Sequence, residues 1–116
     1  MLEDKAKELG RMIGQSEEYK AVKRSSEALN TDRDATTVLR QMEQIRQDAQ
    51  AMAERGEEPT QEMEQQLEGL FGQVQGNSNY QRAIAAQENF DKLMLRVNQL
   101  IAEGIRVGAT SQIILG

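Results

Sequence analysis

With 116 residues the chain has room for one domain and none for a separate catalytic module. It has no cysteine and no histidine, which excludes disulfides, thiolate metal sites and the usual zinc ligands, and removes the usual general base near neutral pH. A net charge of −5 argues against a protein that tracks phosphates, since such a protein carries a basic stripe.

The richest basic group is Lys20, Lys23 and Arg24, flanked by Glu17, Glu18 and Glu27, the pattern of a solvated helix face. No direct nucleic-acid partner is therefore expected. No apolar run is long enough to span a membrane, and Met1 opens onto Leu-Glu-Asp-Lys rather than a basic leader, so a cytoplasmic protein with no membrane partner is expected. Two Tyr, two Phe and no Trp leave the core to aliphatic side chains. Long helices sharing a core between chains would relieve that shortage.

Ala, Glu, Gln, Leu, Met, Arg and Lys dominate, and all favour helix. The first helix is predicted from about Leu2 to Ile13, with Leu2, Ala6, Leu9 and Ile13 on one stripe. Gly14 and Ser16 mark a joint, or a kink in one longer helix. Ser16 suits an N-cap, with Glu17 and Glu18 at the positive end of the dipole. Tyr19, Val22, Ser26 and Leu29 give the second helix a thin apolar face with a polar gap.

Asn30-Thr31-Asp32 forms a boundary, capped by Thr31 or Asp32. Beyond it Ala35, Val38, Met42, Ile45, Ala49 and Met52 alternate spacings of three and four, a heptad seam running to about Arg55. A helix of that extent is roughly 35 Å long. So narrow a seam suits a coiled-coil-like contact with another chain or a partner. Gly56-Glu57-Glu58-Pro59-Thr60 then stops one helix and starts the next, as an αα-hairpin requires. The returning helix carries Met63, Leu67, Leu70, Phe71 and Val74. Its end is marked by Gly76-Asn77-Ser78, where Ser78 and Gln81 form a capping-box pattern that starts the last helix at Asn79. This last helix runs to about Arg106 with a broad apolar face. From Val107 to Gly116 the chain is uncharged and ends in Ile113-Ile114-Leu115. That tail reads more as a short strand or a docking segment than as helix.

No enzymatic constellation emerges. Glu62, Glu64, Glu68 and Glu88 could suggest a carboxylate metal site, but a di-iron bundle needs Glu-x-x-His pairs, and solvated faces account for them. Ser25 and Ser26 have no histidine partner, and Gly69 and Gly72 lack the Lys-Ser/Thr of a phosphate loop. Four of the six methionines, Met42, Met52, Met63 and Met94, fall on apolar seams as ordinary core filling. No catalytic residue, metal or cofactor is expected.

Leu9-Gly10-Arg11-Met12-Ile13 with Ser16-Glu17-Glu18-Tyr19-Lys20, and later Ala86, Phe90, Leu93, Met94, Val97, Asn98 and Ile101, resemble the opening and closing helices of the YlbF/YmcA family of small bacterial helical proteins. The likeness spans roughly residues 2–106 and includes the break at Asp32 and the Gly56-x-x-Pro59-Thr60 hairpin. It implies an all-α fold, homo-oligomers and regulation through protein partners. Some members act in a complex that influences RNase Y-dependent mRNA processing and, through it, competence, sporulation and biofilm formation. Their cysteines hold iron–sulfur clusters; this chain has none, so cluster binding does not carry over.

The expectation is an all-α antiparallel hairpin or bundle of four to five helices, with a long central heptad-patterned helix. Residues 1–106 form one domain and 107–116 a tail. The expected function is that of a regulatory adaptor, forming a dimer or higher homo-oligomer and contacting other regulatory proteins. Val38, Met42, Ile45, Ala49, Met52, Ile113, Ile114 and Leu115 are the expected interface residues. The alternative is a holdase-like helical protein that binds apolar surfaces of clients.

Overall fold

The structure is a computed structural model that describes the backbone of residues 1–115 and the side chains of residues 1–110. Among the described residues there are five helices and no strand: α1 (Leu2–Gly14), α2 (Glu17–Thr31), α3 (Arg33–Glu54), α4 (Gln61–Gln75) and α5 (Ser78–Leu115).

Local chemistry sets the boundaries. At the first joint Ser16 is extended (φ −67°, ψ 152°), and its hydroxyl accepts the Tyr19 amide at 3.2 Å. The chain is therefore interrupted there, and α1 and α2 are separate helices. Asp32 caps α3 by accepting the Ala35 amide at 3.0 Å, and Thr60 caps α4 by accepting that of Met63 at 3.1 Å. Gly56 closes α3 in the left-handed region (φ 78°), where a side chain would be strained. Its amide reaches Ala53 O at 3.0 Å while that of Glu57 reaches Met52 O at 2.8 Å, the two bonds of a Schellman cap.

Two expectations are corrected. The last helix is capped by Asn77, not Ser78: Asn77 Oδ1 accepts the Tyr80 amide at 3.0 Å, and the Gln81 side chain donates to Gln75 O at 2.7 Å instead of closing a capping box. Asparagine wins because it can cap with its oxygen and bind elsewhere with its amide. The uncharged stretch from Val107, expected to be strand or docking segment, continues α5 as helix to Leu115. It has no Pro, and its glycines weaken a helix without stopping it.

α2 packs along α5, and α3 packs along α4; the other contacts between helices are much slighter. The joint between α2 and α3 lies beside that between α4 and α5. Asp32 Oδ2 accepts Asn77 Nδ2 and Asn79 Nδ2, each at 2.9 Å. The molecule is thus a long helical hairpin with both legs broken at the same level, and the two breaks are latched together. On one side of the latch stands the α3–α4 hairpin, on the other the α2–α5 pair.

The core is sparse. Among the described residues only Ala35, Met42, Val74 and Ala86 are buried hydrophobic residues, and the five ion pairs found there all involve exposed side chains, which contribute little. The Cα radius of gyration is 21.2 Å and the extents are 65 × 37 × 20 Å, whereas a compact domain of this length has a radius near ~13 Å. The chain has built long helices without folding them into one globule.

Candidate interaction surfaces

The heptad seam of α3 is divided between two environments. Met42 is 4% exposed and Ala35 1%, and Met42 lies beside Leu67 and Phe71 of α4. Val38, Ile45, Ala49 and Met52 are half-buried. Opposite them Met63, Leu67 and Leu70 of α4 are also half-buried, while Phe71 is exposed. Ile45 and Leu70, with Gly69, line an open groove of about 480 Å³ whose remaining lining residues are Gln41, Gln44, Gln65, Gln66 and Gln73. A Cβ on Gly69 would meet nothing within 4 Å. An uncharged groove with apolar and amide-bearing sides can take the apolar face of a helix or an extended segment and satisfy its polar edge.

On the other side of the latch the α2 face is shifted from the expected one. Ser26 is exposed, while Ala21, Val22, Ser25, Ala28 and Leu29 are half-buried. The Ser25 hydroxyl donates to Val22 O at 3.1 Å, so a serine can sit inward with its polar group satisfied. Ala21, Ser25 and Ala28, with Arg24, share a hollow with Arg82 and Ala86 of α5. At the far end Tyr19 meets Phe90 with ring centroids 5.6 Å apart and planes at 60°, a favourable tilted pair.

Beyond Phe90, α5 outruns its partner, because α2 begins at Glu17, only two residues before Tyr19. Leu95, Leu100, Ile101, Ile105 and Val107 are exposed on this arm, and Leu2 and Met12 are exposed on α1. Ile113, Ile114 and Leu115 lie on the same arm by sequence, but their side chains fall outside the described residues.

The latch is the most polarised feature. The Ala35 backbone amide, followed by the side-chain amides of Asn77 and Asn79, lowers the Asp32 carboxyl from its ordinary 3.8 to about 2. Every donor is spent on holding the joint, which makes this a structural device. Among the described residues no group of three or more acidic, His or Cys side chains is placed to hold a metal, and Glu62, Glu64, Glu68 and Glu88 are all exposed. No helix among the described residues is long and apolar enough to cross a membrane.

A family model described as "Control of competence regulator ComK, YlbF/YmcA" matches residues 2–106. The chain belongs to the YlbF/YmcA family. Similar proteins include a "UPF0342 protein" of Limosilactobacillus reuteri (strain DSM 20016), 26% identical over 103 residues that make up 89% of this chain and 84% of that protein. One from Streptococcus sanguinis (strain SK36) is also 26% identical, covering 89% of this chain and 92% of its own. A third, from Streptococcus pneumoniae (strain Hungary19A-6), is 26% identical over 88% of this chain and 91% of its own. The match takes in all of α1 to α4 and α5 as far as Arg106. The latch and the open groove therefore both lie within the YlbF/YmcA region.

Within this YlbF/YmcA chain, sequence reasoning found the α3 seam but not the latch or the glutamine groove. Asp32 lies 45 and 47 residues from its partners Asn77 and Asn79, and no local pattern announces so distant a bond. The groove did leave a trace, the recurrence of glutamine on both helices of the hairpin at 41, 44, 65, 66 and 73.

Proposed function

We propose that this YlbF/YmcA protein is a regulatory adaptor that works by binding other proteins, in the control of bacterial RNA processing or development. One observation carries the reading: the molecule is far more extended than its length requires and keeps an apolar-floored, charge-free groove open. A helical domain that spends so little apolar surface on its own core has that surface free for partners. The α3–α4 hairpin supplies the partner-facing side, through Val38, Ile45, Ala49 and Met52 around a seam pinned by Met42. The chain self-associates as a dimer or higher oligomer, and the arm that ends in Ile113, Ile114 and Leu115 takes part. The acidic balance favours action on RNA through a protein rather than by direct contact.

Affinity capture of the tagged full chain from its native cell, beside the groove variants Ile45→Asp and Gln66→Arg, tests this. Gln66 is exposed, so Gln66→Arg leaves the hairpin folded even if Ile45→Asp strains it. One or a few stoichiometric proteins, lost in both variants, are expected. A broad spectrum of unrelated unfolded clients, with suppression of their aggregation in vitro, would point instead to a holdase.

A further inference from the structure

Two helical arms lie beyond the packed part of the molecule, and each is amphipathic. On the α5 arm Ile101, Gly104, Ile105 and Gly108 fall at i, i+3, i+4 and i+7 and so share one face. Glu103 and Arg106, the only charges between Val97 and Leu115, fall on the opposite side of the helix. The face is open: Ile105 is 67% exposed, and a Cβ on Gly104 or Gly108 would meet nothing within 4 Å. It also continues a half-buried stripe, because Phe90, Met94 and Val97 extend into Ile101, Gly104 and Gly108 at alternating spacings of four and three. On α1, Leu2, Ala6, Leu9 and Ile13 share a face, with Asp4, Lys7, Glu8 and Arg11 behind it; Leu2 and Ala6 are exposed there, and Leu9 and Ile13 are half-buried.

We infer that the α5 arm pairs antiparallel with the α5 arm of a second copy of this chain, with α1 of each copy completing a four-helix cluster about a two-fold axis. This rests on the self-association in the reading above and assigns its surface. An axis passing between Gly104 and Ile105 sets Ile105 of each copy against Gly104 of the other, and Ile101 against Gly108. Each isoleucine knob then meets a glycine notch supplied by the same sequence, the self-complementarity that a two-fold contact demands. The pairing face carries no charge, so two copies of a chain of net charge −5 meet there without like-charge repulsion. The size also fits. The arms, about 20 Å and about 27 Å long, present on the order of 700 Å² per copy if half of each ~10 Å cylinder is covered, against roughly 800 Å² per partner in a standard interface. The α5 arms alone would offer little more than half of this, which is why α1 belongs to the cluster.

Sedimentation equilibrium of the full chain should give twice the chain mass. The double variant Ile101→Asp, Ile105→Asp should be monomeric at micromolar concentration with unchanged helicity. Gly104→Ala separates packing from folding, since it favours helix yet fills the notch. Helicity should hold or rise while dimer affinity falls about tenfold. The chain has no native cysteine, so Ile105→Cys should form an interchain disulfide under mild oxidation and Glu103→Cys, on the opposite face, should not. A dimer that survives the double aspartate variant, or equal cross-linking at both positions, would overturn the arm pairing and leave self-association standing through another surface. A monomeric wild-type chain, with α1 closed over its own arm, would overturn both, while the adaptor reading would still be judged by the captured partners.

Discussion

Asp32 does the work of several residues. One carboxylate oxygen caps α3 through the Ala35 amide, and the other receives both Asn77 and Asn79, so helix start and long-range latch share a side chain. Protonation would put a hydrogen on an oxygen already facing donors. The folded form therefore holds the charged carboxylate, lowering its pKa from 3.8 to about 2. A depressed carboxyl pKa stabilises the fold fully above the unfolded value, and that contribution is lost as pH falls toward the folded one. Asp32→Asn keeps a capping oxygen but turns an amide toward two amide donors. Its Tm should fall below that of the wild type at pH 7, and the gap should narrow between pH 4 and pH 2. A gap independent of pH, followed by thermal melts across that range, would show that the carboxylate charge does not hold the joint.

At the scale of elements, the α3–α4 hairpin depends on few contacts. Met42 is one of four buried hydrophobic residues among those described, and it lies beside Leu67 and Phe71. Met42→Ala should cost about 2–4 kcal/mol in chemical denaturation, the range for emptying a large buried side chain. A loss below ~1 kcal/mol would mean that the hairpin is held elsewhere. Helix existence and most caps were legible in the sequence because Ser16, Asp32, Gly56 and Thr60 act on their nearest neighbours. The α2 face was read one residue off because Ser25 and Ser26 are equivalent in polarity, and only packing against α5 decides which turns inward. The C-terminal stretch was misread because its β-branched residues and missing charges imitate a strand. Its continuity with a long preceding helix outweighed that local preference.

Seen whole, the chain is an elongated two-ended body with a glutamine-walled groove on one hairpin, two largely exposed arms at the other end and a latch between. The sequence held the all-α class and the hairpin, which follow from periodicity. It did not hold the openness, because the same stripes on α1, α3 and α5 would serve a closed bundle equally well. We propose that regulation passes through the open groove between α3 and α4. The most direct test compares transcript-end maps from the native cell in three chromosomal backgrounds: wild type, deletion, and the Gln66→Arg variant at normal protein level. The variant should reproduce the changes in RNA processing seen on deletion. A variant that behaves as wild type while the deletion alters processing, or a deletion that alters nothing, would contradict the account.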